Sequence, residues 1–260
     1  MSELSPVRPP RHRGIYLLPN LFTTGAMFAG FYAIIASIGG RYTEAAVAVF
    51  VAALLDGLDG RVARMTGTQT EFGVQYDSLS DLVSFGLAPS LVMYTWSLSA
   101  LREFGPLWGK LGWAAAFVYA ACAALRLARF NTQVGVADKR YFQGLASPAA
   151  AAVCMSFVWS VDKFGLAGSD FCFVTPVIAI VVGLLMVSRF RYFSFKSLPM
   201  GKHQLVPFAW MVAAVLLIAL LILDTARVLF AGFTIYLLSG PVWTIWGLAT
   251  HRRRARRNAA

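Results

Sequence analysis

The sequence predicts an all-α polytopic integral membrane protein with about eight transmembrane helices and both termini cytoplasmic. Three observations carry that expectation. Of the 260 residues, 58% are hydrophobic and 13% are charged, the latter about half the share of a soluble domain. Apolar stretches recur along the chain at lengths close to the ~20 residues that cross a ~30 Å hydrocarbon layer. The basic residues between these stretches gather on alternate loops. Such a composition excludes a disordered, collagen-like or disulfide-scaffold protein.

Taken in order, the first span covers 15–38. It follows Arg8, Arg11 and Arg13 in the manner of a secretory leader. Its apolar part is too long for one, however, contains Asn20, Thr23 and Thr24, and is followed by more spans, so it is expected to be a retained helix. Further spans are expected at 43–63, 73–99, 107–127, 146–161, 171–188, 205–223 and 227–248, the fifth being the shortest. This count puts 18 of the 23 Lys and Arg on one side, with Arg41, Arg102, Lys110, Lys163 and Arg227 on the other. The positive-inside rule makes the richer side cytoplasmic. The chain then divides into a basic segment 1–14, a membrane unit 15–188, a loop with two further helices over 189–248, and a basic tail 249–260.

The net charge of +11 needs no nucleic acid, because cytoplasmic loops and anionic headgroups account for it. The arginines of the tail, Arg252, Arg253, Arg254, Arg256 and Arg257, are expected on anionic lipid. Cys122, Cys154 and Cys172 lie in separate apolar stretches without C-x-x-C spacing and read as small buried hydrophobes. Trp96, Trp108, Trp159, Trp243 and Trp246 fall near span ends, where an interfacial aromatic belt expects them.

Four carboxylates stand out. Asp56 and Asp59 lie near the end of the second span, Asp77 and Asp81 in the first turns of the third, and together they are half of the aspartates in the chain. Separations of i,i+3 and i,i+4 put each pair on one helix face. A short loop makes the two helices antiparallel neighbours, so the faces can converge one or two turns below the cytoplasmic surface. Four carboxylates in a low-dielectric site call for cations. All-oxygen ligands suit Mg²⁺ or Mn²⁺ better than Zn²⁺, and four can hold two ions. Gly57, Gly60 and Gly73 clear space around them, and Arg64 is placed to meet a phosphate. The competing structural roles are interhelical salt bridging to Arg61 and Arg64, or simple loop exposure if the second span ends early at Asp56.

Asp56, Asp59, Gly60, Ala63, Arg64, Gly73, Asp77 and Asp81 spell D-x-x-D-G-x-x-A-R, eight residues, then G-x-x-x-D-x-x-x-D. This pattern resembles the signature of the CDP-alcohol phosphatidyltransferases without a departure. The wider text, with Pro19-Asn20-Leu21-Phe22-Thr23, Leu125-Arg126-Leu127-Ala128-Arg129-Phe130-Asn131 and Ser147-Pro148-Ala149-Ala150, is similar to the membrane-bound phosphatidylserine synthases of bacteria over roughly the first 160 residues.

The resemblance implies a multi-pass enzyme of the bacterial inner membrane with its active site facing the cytoplasm. The enzyme would transfer the phosphatidyl group of CDP-diacylglycerol to the hydroxyl of L-serine, giving phosphatidylserine and CMP, and would be a homodimer. Asp56, Asp59 and Asp77 would be the main metal ligands, with Asp81 both a ligand to the second ion and the general base. Gly60, Ala63, Arg64 and Gly73 would line the CDP-diacylglycerol site. Asn20 and Thr23 either join that site or serve as interhelical hydrogen-bond partners. Arg126 and Arg129 would recognise the serine carboxylate, unless they only snorkel to headgroups, and Asn131 and Ser147 would complete the pocket. Inositol phosphate, glycerol phosphate or choline are alternative acceptors. A cation transporter is the competing class, but its sites tend to lie near the midplane between repeated halves, and nothing like this cluster recurs after residue 130.

Overall fold

The computed structural model describes residues 17–67, 70–133, 141–193, 221 and 223–244. Helices α1 (Leu17–Ile38), α2 (Tyr42–Thr66), α3 (Glu71–Asp81), α4 (Ala88–Trp96), α5 (Pro106–Gln133), α6 (Ser147–Lys163) and α7 (Val174–Val187) follow one another, and α8 covers Leu223–Thr244. Two short strands, β1 (Tyr141–Gln143) and β2 (Arg191–Phe193), form an antiparallel ribbon with Phe142 opposite Tyr192. The chain is thus helical apart from this ribbon, which the all-α expectation did not include.

Among the described residues, four helical stretches are long and apolar enough to cross a membrane: Asn20–Ile38, Glu71–Phe104, Pro106–Thr132 and Leu223–Thr244. The α2 helix has the length but carries Glu44, Asp56, Asp59, Arg61 and Arg64. With 17 and 14 residues, α6 and α7 are shorter than a full crossing. The expected span 205–223 lies outside the described residues except for its last positions, as do the segments 1–14 and 249–260.

On α1, buried Ala26, Ala29, Ala33 and Ala36 line one face, while Phe28, Phe31, Ile35 and Ile38 stand exposed on the other. Small inside and large outside is the pattern of a helix whose solvent is lipid, where close packing replaces hydrophobic drive. The inner face meets Ala45, Ala46, Val49 and Ala52 of α2. Between the two helices Gly40 takes φ +74°. The amides of Gly40 and Arg41 donate to the carbonyls of Ser37 and Ala36 at 3.1 and 2.9 Å, a Schellman stop that reverses the chain. At this same end Thr43 donates through N and Oγ1 to Asp162 Oδ2 at 3.1 and 2.7 Å, tying α2 to α6.

The third expected span is built in parts. A π-helical turn, Leu82–Leu87, links α3 to α4, with the Ala88 amide reaching Val83 O, and a 3₁₀ turn Leu98–Phe104 follows α4. Pro89 lacks the N–H that a regular helix would give to Phe85 O. Tyr119 of α5 supplies the donor instead, its hydroxyl 3.1 Å from that carbonyl. Ser80 and Ser84 donate to the Thr23 and Ala26 carbonyls of α1 at 3.1 and 3.0 Å. Gly30 permits the approach, since a Cβ there would lie 2.7 Å from Ser84 Cα. The turn carrying Asp81 is thereby fixed against α1.

Candidate active site

Each pair of aspartates is placed by its helix. Asp56 and Asp59 occupy the last turns of α2. After Gly67 at φ +61°, Thr70 caps α3 by accepting from the Gly73 amide at 3.0 Å, which sets Asp77 and Asp81 about two and three turns into the helix. One oxygen from each of Asp56, Asp59 and Asp77 lies within 4.8 Å of the others. Asp81 is not one of that trio but shares a side-chain hydrogen bond with Asp56, and it is in electrostatic contact with Asp77 and Arg126.

Asp59 is buried, and its Oδ2 accepts from Thr23 Oγ1 at 2.9 Å. Asp77 Oδ1 is buried and has no hydrogen-bond partner. Among the described residues no salt bridge reaches any of the four aspartates; the three ion pairs found there, Arg41–Glu44, Lys163–Asp224 and Arg227–Asp224, lie at the opposite end of the bundle. Arg61 and Arg64 are exposed, so salt bridging within the bundle does not account for the cluster. Three converging carboxylates with an orphaned buried oxygen are a donor set that fits a hard divalent cation.

The small residues divide into two kinds. A Cβ on Gly57 or Gly60 would meet nothing within 4 Å, whereas one on Gly73 would approach Thr70 Oγ1 at 3.1 Å and Asn20 Oδ1 at 3.6 Å. Gly57 and Gly60 therefore leave open space beside the carboxylates, while Gly73 lets α3 close on α1 near Asn20. Ala63 lies on α2 with its side chain outside those described. Thr23 is drawn into the site by Asp59, and its neighbour Thr24 shares a 2.9 Å hydrogen bond with Tyr76.

The residues expected to bind the acceptor separate in space. Arg126 Nη1 donates to the buried Ser147 Oγ at 2.7 Å and faces Asp81. Arg129 Nη1 instead donates to Val187 O, the last residue of α7, at 3.2 Å, a contact that closes a helix C-terminus. Asn131 Nδ2 donates to Ser78 Oγ at 3.0 Å, bracing α5 on α3. Ser78, Ser80 and Tyr119 brace the site without having been singled out in the sequence. Ser78 and Ser80 sit between the two motif aspartates, a position that could have flagged them; Tyr119 carries no local signal.

Comparison with known proteins matches residues 16–185 to the model of the CDP-alcohol phosphatidyltransferases. A CDP-diacylglycerol--serine O-phosphatidyltransferase of Helicobacter pylori is 36% identical over 183 residues, covering 70% of this chain and 74% of the relative. One of Mycobacterium bovis is 34% identical over 230 residues, with 85% and 74% covered. An archaetidylserine synthase of Methanothermobacter thermautotrophicus is 34% identical over 177 residues, with 67% and 69% covered.

Proposed function

The chain belongs to the CDP-alcohol phosphatidyltransferase family, and on that premise we propose that it transfers the phosphatidyl group of CDP-diacylglycerol to L-serine, giving phosphatidylserine and CMP. The observation that carries the proposal is the convergence of Asp56, Asp59 and Asp77 beside Asp81 and Arg126. Mg²⁺ or Mn²⁺, held by the trio and, for a second ion, by Asp81, would neutralise the pyrophosphate and the departing CMP.

The serine hydroxyl attacks the phosphorus bearing the diacylglycerol. A P–O bond forms, the bond to the bridging pyrophosphate oxygen breaks, and CMP leaves with that oxygen. Asp81, hydrogen-bonded to Asp56 at the edge of the trio, takes the hydroxyl proton as general base. Thr23 orients Asp59 through its hydrogen bond. Gly60, with Ala63, Arg64 and Gly73, borders the nucleotide, which the open space over Gly57 and Gly60 admits. An apolar groove of about 630 Å³ between α1 and α2 reaches Gly25 and Leu55, next to Asp56, and suits an acyl chain.

Relatives named for serine support serine as the acceptor, as does the charge around Asp81. Among the described residues, Arg126 is the one cation in electrostatic contact with it. A guanidinium matches one carboxylate, whereas inositol phosphate or glycerol phosphate would call for more basic groups. Asn131 and Arg129 act at one remove, through Ser78 and the end of α7. Catalysis is assigned to 15–188, within an eight-span homodimer of the bacterial inner membrane that has both termini and the active site on the cytoplasmic side.

The test is transfer of label from serine, inositol phosphate, glycerol phosphate and choline into lipid by the purified protein with CDP-diacylglycerol and Mg²⁺ or Mn²⁺. Metal-dependent labelling from serine, abolished by Asp81→Asn, is the expected result. Labelling from another alcohol would overturn the acceptor, and labelling from none by folded protein would overturn the chemistry.

A further inference from the structure

The family match ends at residue 185, yet the acceptor end of the site is tied to parts of the chain beyond it. Tyr192 of β2 is fully buried. Its hydroxyl donates to Leu237 O of α8 at 3.2 Å, and its ring lies 5.6 Å from that of Tyr236. Gly240 makes this seat possible, since a Cβ there would fall 2.4 Å from Tyr192 Cζ. Two more ring contacts dock α8, Phe233 on Phe50 of α2 at 6.2 Å and Phe230 on Phe157 of α6 at 5.7 Å. The same ribbon leads into the site. After β1, Gly144 at φ +80° and Leu145 donate their amides to Phe190 O and Leu185 O at 2.9 and 3.0 Å. The chain then enters α6 at Ser147, the partner of Arg126. On the other side, the Tyr236 phenol is an electrostatic neighbour of the Arg126 guanidinium.

We propose that Tyr192 and Tyr236 are positioning residues for the acceptor site: by seating α8 against the ribbon at Gly240 they close the wall behind Arg126 and hold its guanidinium where the acceptor's carboxylate is bound. The carboxylate pairs with the face of Arg126 turned toward Asp81. Ser147 holds the guanidinium by its hydrogen bond and Tyr236 lies in its electrostatic reach, so fewer orientations are lost when the acceptor arrives. Neither tyrosine touches the reacting atoms, and neither lines the α1–α2 groove. The seat therefore acts on the acceptor and leaves the lipid substrate alone.

This inference rests on serine transfer by the wild-type enzyme, and the same assay separates the two. Steady-state kinetics would be measured on the full-length wild-type protein and on Tyr236→Phe, Tyr192→Phe, Gly240→Ala and Gly232→Ala. Gly232 lies on the same helix with nothing within 4 Å of an added Cβ, which makes it the control. The KM for serine is expected to rise about fivefold in Tyr192→Phe, the scale of its one hydrogen bond to Leu237 O, and by about as much in Tyr236→Phe, which removes the phenol beside Arg126. It is expected to rise at least as much in Gly240→Ala, with kcat and the KM for CDP-diacylglycerol within twofold of wild type and Gly232→Ala unchanged. Each variant would also be melted in detergent, and a kinetic change without a shifted midpoint excludes general unfolding. A serine KM within twofold of wild type in Tyr236→Phe and Gly240→Ala would overturn the proposal, as would equal loss for both substrates. Failure of wild-type protein to use serine would instead overturn the function. The same variants measured with whichever alcohol is accepted would still decide the role of the seat.

Discussion

At the scale of single residues, the carboxylates do not act alone. Asp59 is held by Thr23 from a helix 36 residues earlier, and a hydrogen bond to a ligand's second oxygen fixes which lone pair faces the cation. Thr23→Val keeps the shape and the β-branch while removing the donor. The metal concentration for half-maximal transfer is expected to rise about tenfold, with kcat at saturating metal within threefold of wild type. Titrating Mn²⁺ against transfer rate checks this, and an unchanged titration curve would reduce Thr23 to a packing residue. Arg129 illustrates the opposite outcome. It shares a helix face with Arg126, three residues away, yet its guanidinium goes to the end of α7. Spacing along one helix says which residues share a face; it does not say which neighbouring helix terminates there.

At the scale of elements, what was legible was whatever depends on one or two consecutive helices. The apolar lengths locate α1, α2, α6 and α7 to within about three residues and the start of α5 to within one, while α5 runs on to Gln133, six residues past the expected end. The spacing of Asp56, Asp59, Asp77 and Asp81 on two helices joined by a short loop brought the trio together. The ribbon was not legible, because three-residue strands show no period, nor was the π turn, which needs Pro89 and a hydroxyl from Tyr119 30 residues further on. Yet the π turn positions the site, since it begins at the residue after Asp81 and is seated on α1 at Gly30. Gly30→Ala tests that seat. The new Cβ would meet Ser84 Oγ at 2.6 Å and Ser84 Cα at 2.7 Å, and backbone cannot rotate away as a hydroxyl can. The overpacking cost is about 1–3 kcal/mol, enough to lower the detergent melting midpoint by several degrees and to reduce transfer. Adding Ser84→Ala should not rescue it, because the backbone clash persists; full rescue would show that the hydroxyl alone sets the spacing.

At the scale of the whole molecule, the two ends of the bundle differ in charge and in the work they do. The aspartate end carries Arg61, Arg64, Arg126, Arg129, Arg189 and Arg191, whereas Arg41, Arg102, Lys110, Lys163 and Arg227 mark the other. Cations at the second end are largely committed locally: Arg41 to Glu44, and Lys163 and Arg227 to Asp224. The proposed orientation follows the excess of Lys and Arg at the first end, which by the positive-inside rule would turn the aspartates toward the cytoplasm, where serine and CMP are water-borne. Single cysteines make this orientation measurable, because the native Cys122, Cys154 and Cys172 are all buried and give little background. Met65, 86% exposed at the end of α2, and Leu166, 48% exposed in the turn after α6, stand at opposite ends. In intact bacterial cells a membrane-impermeant maleimide is expected to label Leu166→Cys and spare Met65→Cys, with the pattern reversed in inverted membrane vesicles. Labelling of Met65→Cys from outside intact cells would place the aspartates on the wrong side for a cytoplasmic acceptor, and the proposed orientation would fall even if the transfer chemistry stood.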